Sequence, residues 1–123
     1  AIAKLEETKK VAPNDTGLAF QLGTVYWQKK DLDRAQAELE RAISLNANYS
    51  NARYILGLVY DAKKEKSKAL EQFTKIAELN PNNEEVKKII ANIEAGKTPL
   101  DGIVVGQPPV QETPPEIQNE GGK

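Results

Sequence analysis

Cysteine, histidine and methionine are all absent from this 123-residue sequence. Without cysteine there is no disulfide and no thiolate nucleophile, and without histidine the commonest general base is missing. The standard zinc sites depend on these two residue types, so they are excluded as well. No glycine-rich loop follows a strand, and no nucleophile has a base beside it. We therefore predict that the chain is not an enzyme and has no catalytic residue, no metal site and no cofactor.

An excess of charge of one sign is also lacking, because 17 basic residues nearly balance 18 acidic ones. A balanced chain has no general electrostatic attraction to nucleic acid or anionic lipid. No apolar run approaches the length that crosses a bilayer, and the N-terminus lacks the apolar core of a secretory signal. We predict a soluble segment with no nucleic-acid partner and no membrane contact of its own. Its compartment is cytoplasmic by default, with an extracytoplasmic part of a membrane protein as the alternative.

The sequence contains an internal repeat with a period of 34 residues. A fixed period of this length indicates structural units that stack into a solenoid. The content of 39% hydrophobic and 6% aromatic residues also favours a modular architecture over one filled core. Ten identical pairs share the spacing: Leu22/Leu56, Gly23/Gly57, Val25/Val59, Tyr26/Tyr60, Lys29/Lys63, Lys30/Lys64, Ala35/Ala69, Leu45/Leu79, Asn46/Asn80 and Asn48/Asn82.

Each unit has the pattern of two helices joined by a short turn. We expect N-caps at Asn14 or Asp15, at Asp31 and at Asn48, with Pro81 ending a helix. The expected helices cover residues 1–11, 16–29, 32–45, 50–63, 66–79 and 84–95.

Two glycines lie within these predicted helices. Gly23 and Gly57 have no Cβ, so a neighbouring helix can approach closely at each of them. We expect their partners to be the small residues of the facing helix, Ala35 for Gly23 and Ala69 for Gly57.

The repeat resembles the tetratricopeptide repeat (TPR), whose pattern is W-x2-L-G-x2-Y, then A-x3-F, then a closing proline. The sequence departs from it at Ala19 and Arg53, which replace the tryptophan, and at Ala47, which replaces the first closing proline. The resemblance implies an all-α helix-turn-helix solenoid, wound as a right-handed superhelix. The matching residues are Leu22-Gly23-x2-Tyr26 and Ala35-x3-Leu39 in one unit, and Leu56-Gly57-x2-Tyr60, Ala69-x3-Phe73 and Pro81 in the next.

The same register extends beyond these two units in both directions. The first residues match only the second helix of a unit, and residue 1 is not methionine, so we expect the C-terminal part of a longer array. Ile2, Leu5 and the stem of Lys9 should then be partly bare, a patch that invites self-association through the N-terminal edge. The predicted organisation is the second helix of a partial repeat at 1–13, repeats at 15–48 and 49–82, a capping helix at 83–97 and a tail at 98–123.

The tail is rich in proline, since residues 99–123 hold five of the seven prolines. This composition predicts a disordered or extended segment. Two alternatives stay open for it: exposure to solvent, or packing of its apolar residues against a groove. The residues considered for such packing are Ile103, Val104, Val105 and the Pro108-Pro109 pair.

In TPR proteins the first helix of each repeat lines a concave groove that binds peptides or partner helices. The resemblance carries this role onto eight positions of the sequence, and it implies a protein or peptide ligand. The alternative for the aromatic members, above all Phe20 and Tyr54, is ordinary core packing. The eight positions are Phe20, Thr24, Trp27, Gln28, Asn51, Tyr54, Leu58 and Asp61.

One TPR subclass clamps the terminal carboxylate of chaperones with basic and amide side chains. The positions of that clamp hold residues that cannot bind a carboxylate, so this ligand is not expected. These residues are Phe20, Thr24, Ile55, Glu85 and Ile89.

Lysines cluster at the turns, in Lys29-Lys30 and again in the run that begins at Lys63. Contact with an acidic partner is one interpretation. Because Asp31, Asp61 and Glu65 are interleaved with them, we favour solvated lysines near helix C-termini.

The function predicted is a non-catalytic scaffold that binds a peptide or helix in the groove. The alternative is a C-terminal regulatory or oligomerisation domain of a larger bacterial protein, with a membrane protein as one option, whose activity lies elsewhere. The segment from Leu79 to Val86 resembles the C-terminal repeats of polysaccharide ligase-like membrane proteins, which motivates that alternative.

Overall fold

The computed structural model describes residues 2–103, which form six α-helices and no strand. Each helix packs against its neighbours in sequence, and α2 also packs against α4. The predicted all-α solenoid is confirmed. The helices are α1 (Ile2–Val11), α2 (Thr16–Gln28), α3 (Leu32–Leu45), α4 (Ser50–Ala62), α5 (Lys66–Leu79) and α6 (Glu84–Glu94).

The helix starts follow mostly from side-chain caps. Asp15 accepts a hydrogen bond from the backbone N–H of Leu18 at 3.1 Å, and Asp31 does the same for Arg34 at 3.3 Å. The predicted cap at Asn48 is wrong, because Tyr49 is the N-cap of α4. Instead the backbone N–H of Asn48 donates to Asn46 Oδ1 at 3.2 Å, which holds residue 48 in the turn. The helix itself begins at Ser50, as expected, and only the capping residue differs.

The turn within each repeat contains a lysine in the left-handed region. Lys30 and Lys64 both have φ of 65°. The following N–H groups, those of Asp31 and Glu65, donate to the carbonyls of Tyr26 and Tyr60 at 2.9 and 2.8 Å. These bonds form the helix ending known as the Schellman motif, in which glycine usually occupies the left-handed position.

The two helical glycines contact larger partners than we predicted. A Cβ built on Gly23 would lie 2.5 Å from Leu39 Cγ, and one on Gly57 would lie 2.5 Å from Phe73 Cε2. The expected pairing with Ala35 and Ala69 is therefore wrong in its nearest contacts. The large residue of the A-x3-F pattern fills the space above each glycine. The side chains of Leu39 and Phe73 therefore pack directly against the backbone of Gly23 and Gly57.

Polar side chains join successive helices across the solenoid. The hydroxyl of Tyr26 donates to Glu6 on α1, and that of Tyr60 donates to Glu40 on α3 at 2.5 Å. Glu38 is buried between two cations, with its carboxylate oxygens 2.6 Å from Lys9 Nζ and 2.9 Å from Arg41 Nη2. This ion pair ties α1 to α3.

The N-terminal edge combines packed and exposed apolar residues. Ile2 and Leu5 are half-buried and pack against the core, while Val11 at the end of α1 is 83% exposed. Lys9 pairs with Glu38, and its side chain keeps 34% of its surface exposed. Self-association through this edge stays a prediction.

The chain continues past α6 in a short segment, residues 97–103, which we call the C-terminal strap. Asn92 on α6 donates two hydrogen bonds of 2.9 Å, to the carbonyls of Pro99 and Asp101. Leu100 and Ile103 pack against the core. The start of the predicted tail is thus bound to the last helix, whereas Val104, Val105 and the Pro108-Pro109 pair lie outside the described residues.

Candidate peptide-binding groove

The predicted groove residues lie on α2 and α4, the first helices of the two repeats. Spacings of three and four residues place side chains on one face of a helix. On α2 this row contains Phe20, Thr24 and Trp27, and on α4 it contains Tyr54, Leu58 and Asp61. Because α2 packs against α4, the two rows adjoin.

Two aromatic members of these rows pack internally and also keep exposed surface. The ring centroid of Phe20 lies 5.1 Å from that of Tyr49, and Tyr54 meets Phe73 edge-to-face at 5.8 Å. Phe20 and Tyr54 are both half-buried. Core packing therefore fixes the position of each ring but leaves part of it accessible.

Leu58 occupies a different environment. It is only 8% exposed and belongs to the core. It presents almost no surface to solvent, in contrast to the accessible groove position that we expected for it.

Trp27 forms one wall of a pocket of about 320 Å³ at the C-terminal end of α2. The predicted groove residues include Trp27 and Gln28 but not the other residues that line this pocket. The sequence does indicate Ala62, because this residue is the 34-residue equivalent of Gln28. The sequence does not indicate Leu32, because the repeat alone does not show that the first residue of α3 faces the pocket. The pocket is lined by Trp27, Gln28, Lys30, Leu32 and Ala62.

The polar members of the rows differ in their surroundings. Gln28 is exposed, and Asn51 is half-buried and engaged in an interaction. Thr24 Oγ1 is buried and has no hydrogen-bond partner within residues 2–103. Asp61 is half-buried, and burial raises the pKa of its carboxyl while the charge of Lys64 lowers it.

Burial also acts on Tyr54. It raises the pKa of the phenol above its ordinary value, and the negative charge of Glu85 raises it further. The hydroxyl of Tyr54 is therefore neutral at physiological pH and able to donate or accept a hydrogen bond.

No group of three or more carboxylate side chains within residues 2–103 is placed to hold a metal ion. In the same range no helix combines the length and the apolar character needed to span a bilayer.

Stacked helix pairs with aromatic first-helix rows define a helical-repeat protein. Residues 20–84 match the family described as the tetratricopeptide repeat. This stretch is more than half of the chain, so the chain belongs to the tetratricopeptide repeat family. Proteins of this family are in general protein–protein interaction modules.

Several solved structures are similar to this chain, whereas no curated protein matches it. Two crystal structures of MamA each have a TM-score of 0.74 and 29% identity, and the alignments cover 77% of this chain. They cover 56% and 52% of the MamA chains, so this chain spans about half of their length. The first TPR of Spaghetti (RPAP3), bound to the HSP90 peptide SRMEEVD, has a TM-score of 0.73. Its identity is 22%, with coverage of 77% of this chain and 75% of that one, and this likeness concerns the fold alone.

Proposed function

We propose that this chain is a non-catalytic interaction module that binds a peptide or a helix of a partner protein along α2 and α4. The observation that carries the proposal is the set of partly exposed aromatic side chains on these adjoining helices, with the Trp27 pocket at one end. Aromatic residues are enriched among the side chains that contribute most to protein interfaces. Membership of an interaction-module family supports the same proposal.

Internal packing strengthens this proposal. Phe20 and Tyr54 are held by Tyr49 and Phe73, so their rings lose little conformational entropy when a ligand binds. Surfaces that are ordered before binding give more affinity for the same contact area. A peptide in the groove would thus meet rings that already have their bound positions.

Selection of peptides from a random library on the folded chain tests the proposal. We expect enriched peptides whose binding is weakened at least about tenfold by Trp27→Ala, which corresponds to a loss of about 1.4 kcal/mol or more at an interface residue that contributes strongly to binding. Val11→Ala is the matched control, because Val11 is apolar and exposed but lies on α1, away from the groove.

Circular dichroism of both variants shows whether the fold is intact. A selection that enriches no peptide, or enriched peptides that bind the Trp27→Ala variant with unchanged affinity, would contradict the proposed groove.

A further inference from the structure

Three exposed lysines next to the Trp27 pocket have no ion-pair partner within residues 2–103. These are Lys29, Lys30 and Lys64, and no described carboxylate lies within 4.0 Å of their ammonium groups. Lys63 differs from them, because its Nζ lies 2.8 Å from Asp33 Oδ1 and 2.7 Å from Gln36 Oε1.

Backbone hydrogen bonds hold these lysines near the pocket. Lys30 lines the pocket itself, and its N–H donates to the carbonyl of Trp27 at 3.0 Å. Lys64 follows Ala62, another lining residue, by two positions, and its N–H donates to the carbonyl of Asp61 at 2.9 Å. Lys29 directly precedes Lys30, and its N–H donates to the carbonyl of Val25 at 3.0 Å. The backbone of each lysine is therefore held in a defined position at this end of α2 or α4.

The acidic groups near the pocket are already engaged or half-buried. Asp31 caps α3 and pairs with Arg34 at 3.5 Å, and Asp33 holds Lys63. Asp61 is half-buried. Because Asp31 and Asp33 are paired with Arg34 and Lys63, the remaining charges beside the pocket are the three lysines and Asp61, on which Lys64 acts electrostatically. The local charge is therefore positive, although the chain as a whole is nearly neutral.

We infer that the Trp27 pocket selects an acidic peptide segment with one bulky apolar residue. This inference rests on the proposed groove function and specifies its ligand. The apolar side chain would enter between Trp27 and Leu32, and neighbouring carboxylates would pair with Lys29, Lys30 and Lys64. Lysine ammonium groups act as point charges with three donors, so side-chain carboxylates within a peptide suffice and no terminal carboxylate is needed.

Neither the carboxylates nor the apolar side chain of the ligand would be sufficient alone. An exposed ion pair changes affinity by at most about fivefold, which is too little for specific binding by itself. An apolar side chain alone would not use the lysines. Together they give a preference that depends on salt, because exposed charges are screened by ions.

Two synthetic peptides, acetylated and amidated, test the inference. One has a leucine with two glutamates on each side, and the other has glutamines in place of the glutamates. Trp27 is the only tryptophan of the chain, so its fluorescence reports binding at the pocket. In about 0.05 M salt we expect the glutamate peptide to bind at least about fivefold more tightly, and in about 0.5 M salt most of this difference should disappear.

Charge reversal of two lysines provides a second test of the inference. Lys30→Glu with Lys64→Glu should abolish the preference for the glutamate peptide. Lys4→Glu with Lys10→Glu makes the same charge change on α1, where both lysines are exposed, and should retain it. If the first variant loses its helical circular dichroism, Lys30→Gln with Lys64→Gln replaces it and should reduce the preference to less than about twofold.

The inference is overturned if the two peptides bind equally, if neither binds, or if the α1 variant loses the preference as well. Library peptides that bind the groove but lack acidic residues would also overturn it while leaving the proposed function intact. A library that enriches nothing would remove the groove function too.

Discussion

Tyr60 donates a hydrogen bond to Glu40 at 2.5 Å, and Tyr26 makes the same bond to Glu6 one repeat earlier. Each tyrosine lies on the first helix of a repeat, and each glutamate lies on the second helix before it. The bond therefore joins one repeat to the next. The pattern ends at α6, where the equivalent positions hold Thr74 and Glu94.

Removal of this hydroxyl should weaken the contact between repeats. We expect Tyr60→Phe to lower the free energy of unfolding by about 1.5–3 kcal/mol, since the lost hydrogen bond has a charged acceptor. Denaturant unfolding measures the change. Tyr54→Phe is the control, because no hydrogen bond of the Tyr54 hydroxyl is seen within the described chain, and it should change stability by less than about 0.5 kcal/mol. Equal losses in both variants would show that the bond to Glu40 has no particular role.

The equivalent bond between Tyr26 and Glu6 should make the stability of the fold depend on pH in the alkaline range. The hydrogen bond to Glu6, followed by burial, raises the pKa of Tyr26 from 10.0 to about 12. A raised pKa means that the folded state favours the neutral phenol, so this contribution is complete below pH 10 and is lost as pH rises towards 12. Thermal unfolding across this range should show a steeper decline for the unchanged chain than for Tyr26→Phe. Parallel curves would contradict the assignment.

Substitution of Gly57 should distinguish steric contact from helix propensity. A Cβ at this position would lie 2.5 Å from Phe73 Cε2, a distance at which something must shift. We expect Gly57→Ala to destabilise the chain by about 1 kcal/mol or more and Gly57→Leu by about 1–3 kcal/mol or more, as overpacking does. Helix propensity alone predicts the opposite, because alanine and leucine are both better helix formers than glycine. An increase in melting temperature in either variant would therefore contradict the close approach.

Glycine should be better than lysine at the left-handed turn position. Lys64 has φ of 65°, a conformation that costs a residue with a Cβ about 1 kcal/mol. We expect Lys64→Gly to raise the free energy of unfolding by about 0.5–1 kcal/mol, after the greater entropy of glycine in the unfolded chain is included. Lys29→Gly is the matched control, since Lys29 has φ of −83° and gains nothing from glycine. A loss of stability in both variants would contradict the prediction.

The C-terminal strap should be released when its donor is removed. Asn92→Ala leaves the carbonyls of Pro99 and Asp101 without their shared amide donor, at a cost of about 1–3 kcal/mol. Hydrogen exchange should accelerate in residues 97–103 while α2 and α4 keep their protection. Asn82→Ala, an exposed asparagine in the preceding turn, should leave the exchange of the strap unchanged. Unchanged exchange in the Asn92→Ala variant would mean that Leu100 and Ile103 hold the strap by packing alone.

The 34-residue period by itself determined the helices and their arrangement. Together with the capping residues and the helical spacing of apolar residues, it gave every helix boundary to within one residue, because these are local properties of sequence. The period also located Trp27 on a first helix, and the residues of that face followed from helical spacing. Family membership was confirmed by comparison with known proteins.

Only the tertiary structure decided which residues meet. The partner of Gly57 is Phe73 and not Ala69, because the relative rotation of two helices is set by the packing of their largest side chains. Leu58 turned out to be buried, and Leu32 joined the Trp27 pocket, since both outcomes depend on a neighbouring helix that is distant in sequence. Only the structure likewise shows that Lys29, Lys30 and Lys64 form no ion pair with a carboxylate of residues 2–103, because the sequence shows which charges are present but not which of them are close enough to pair.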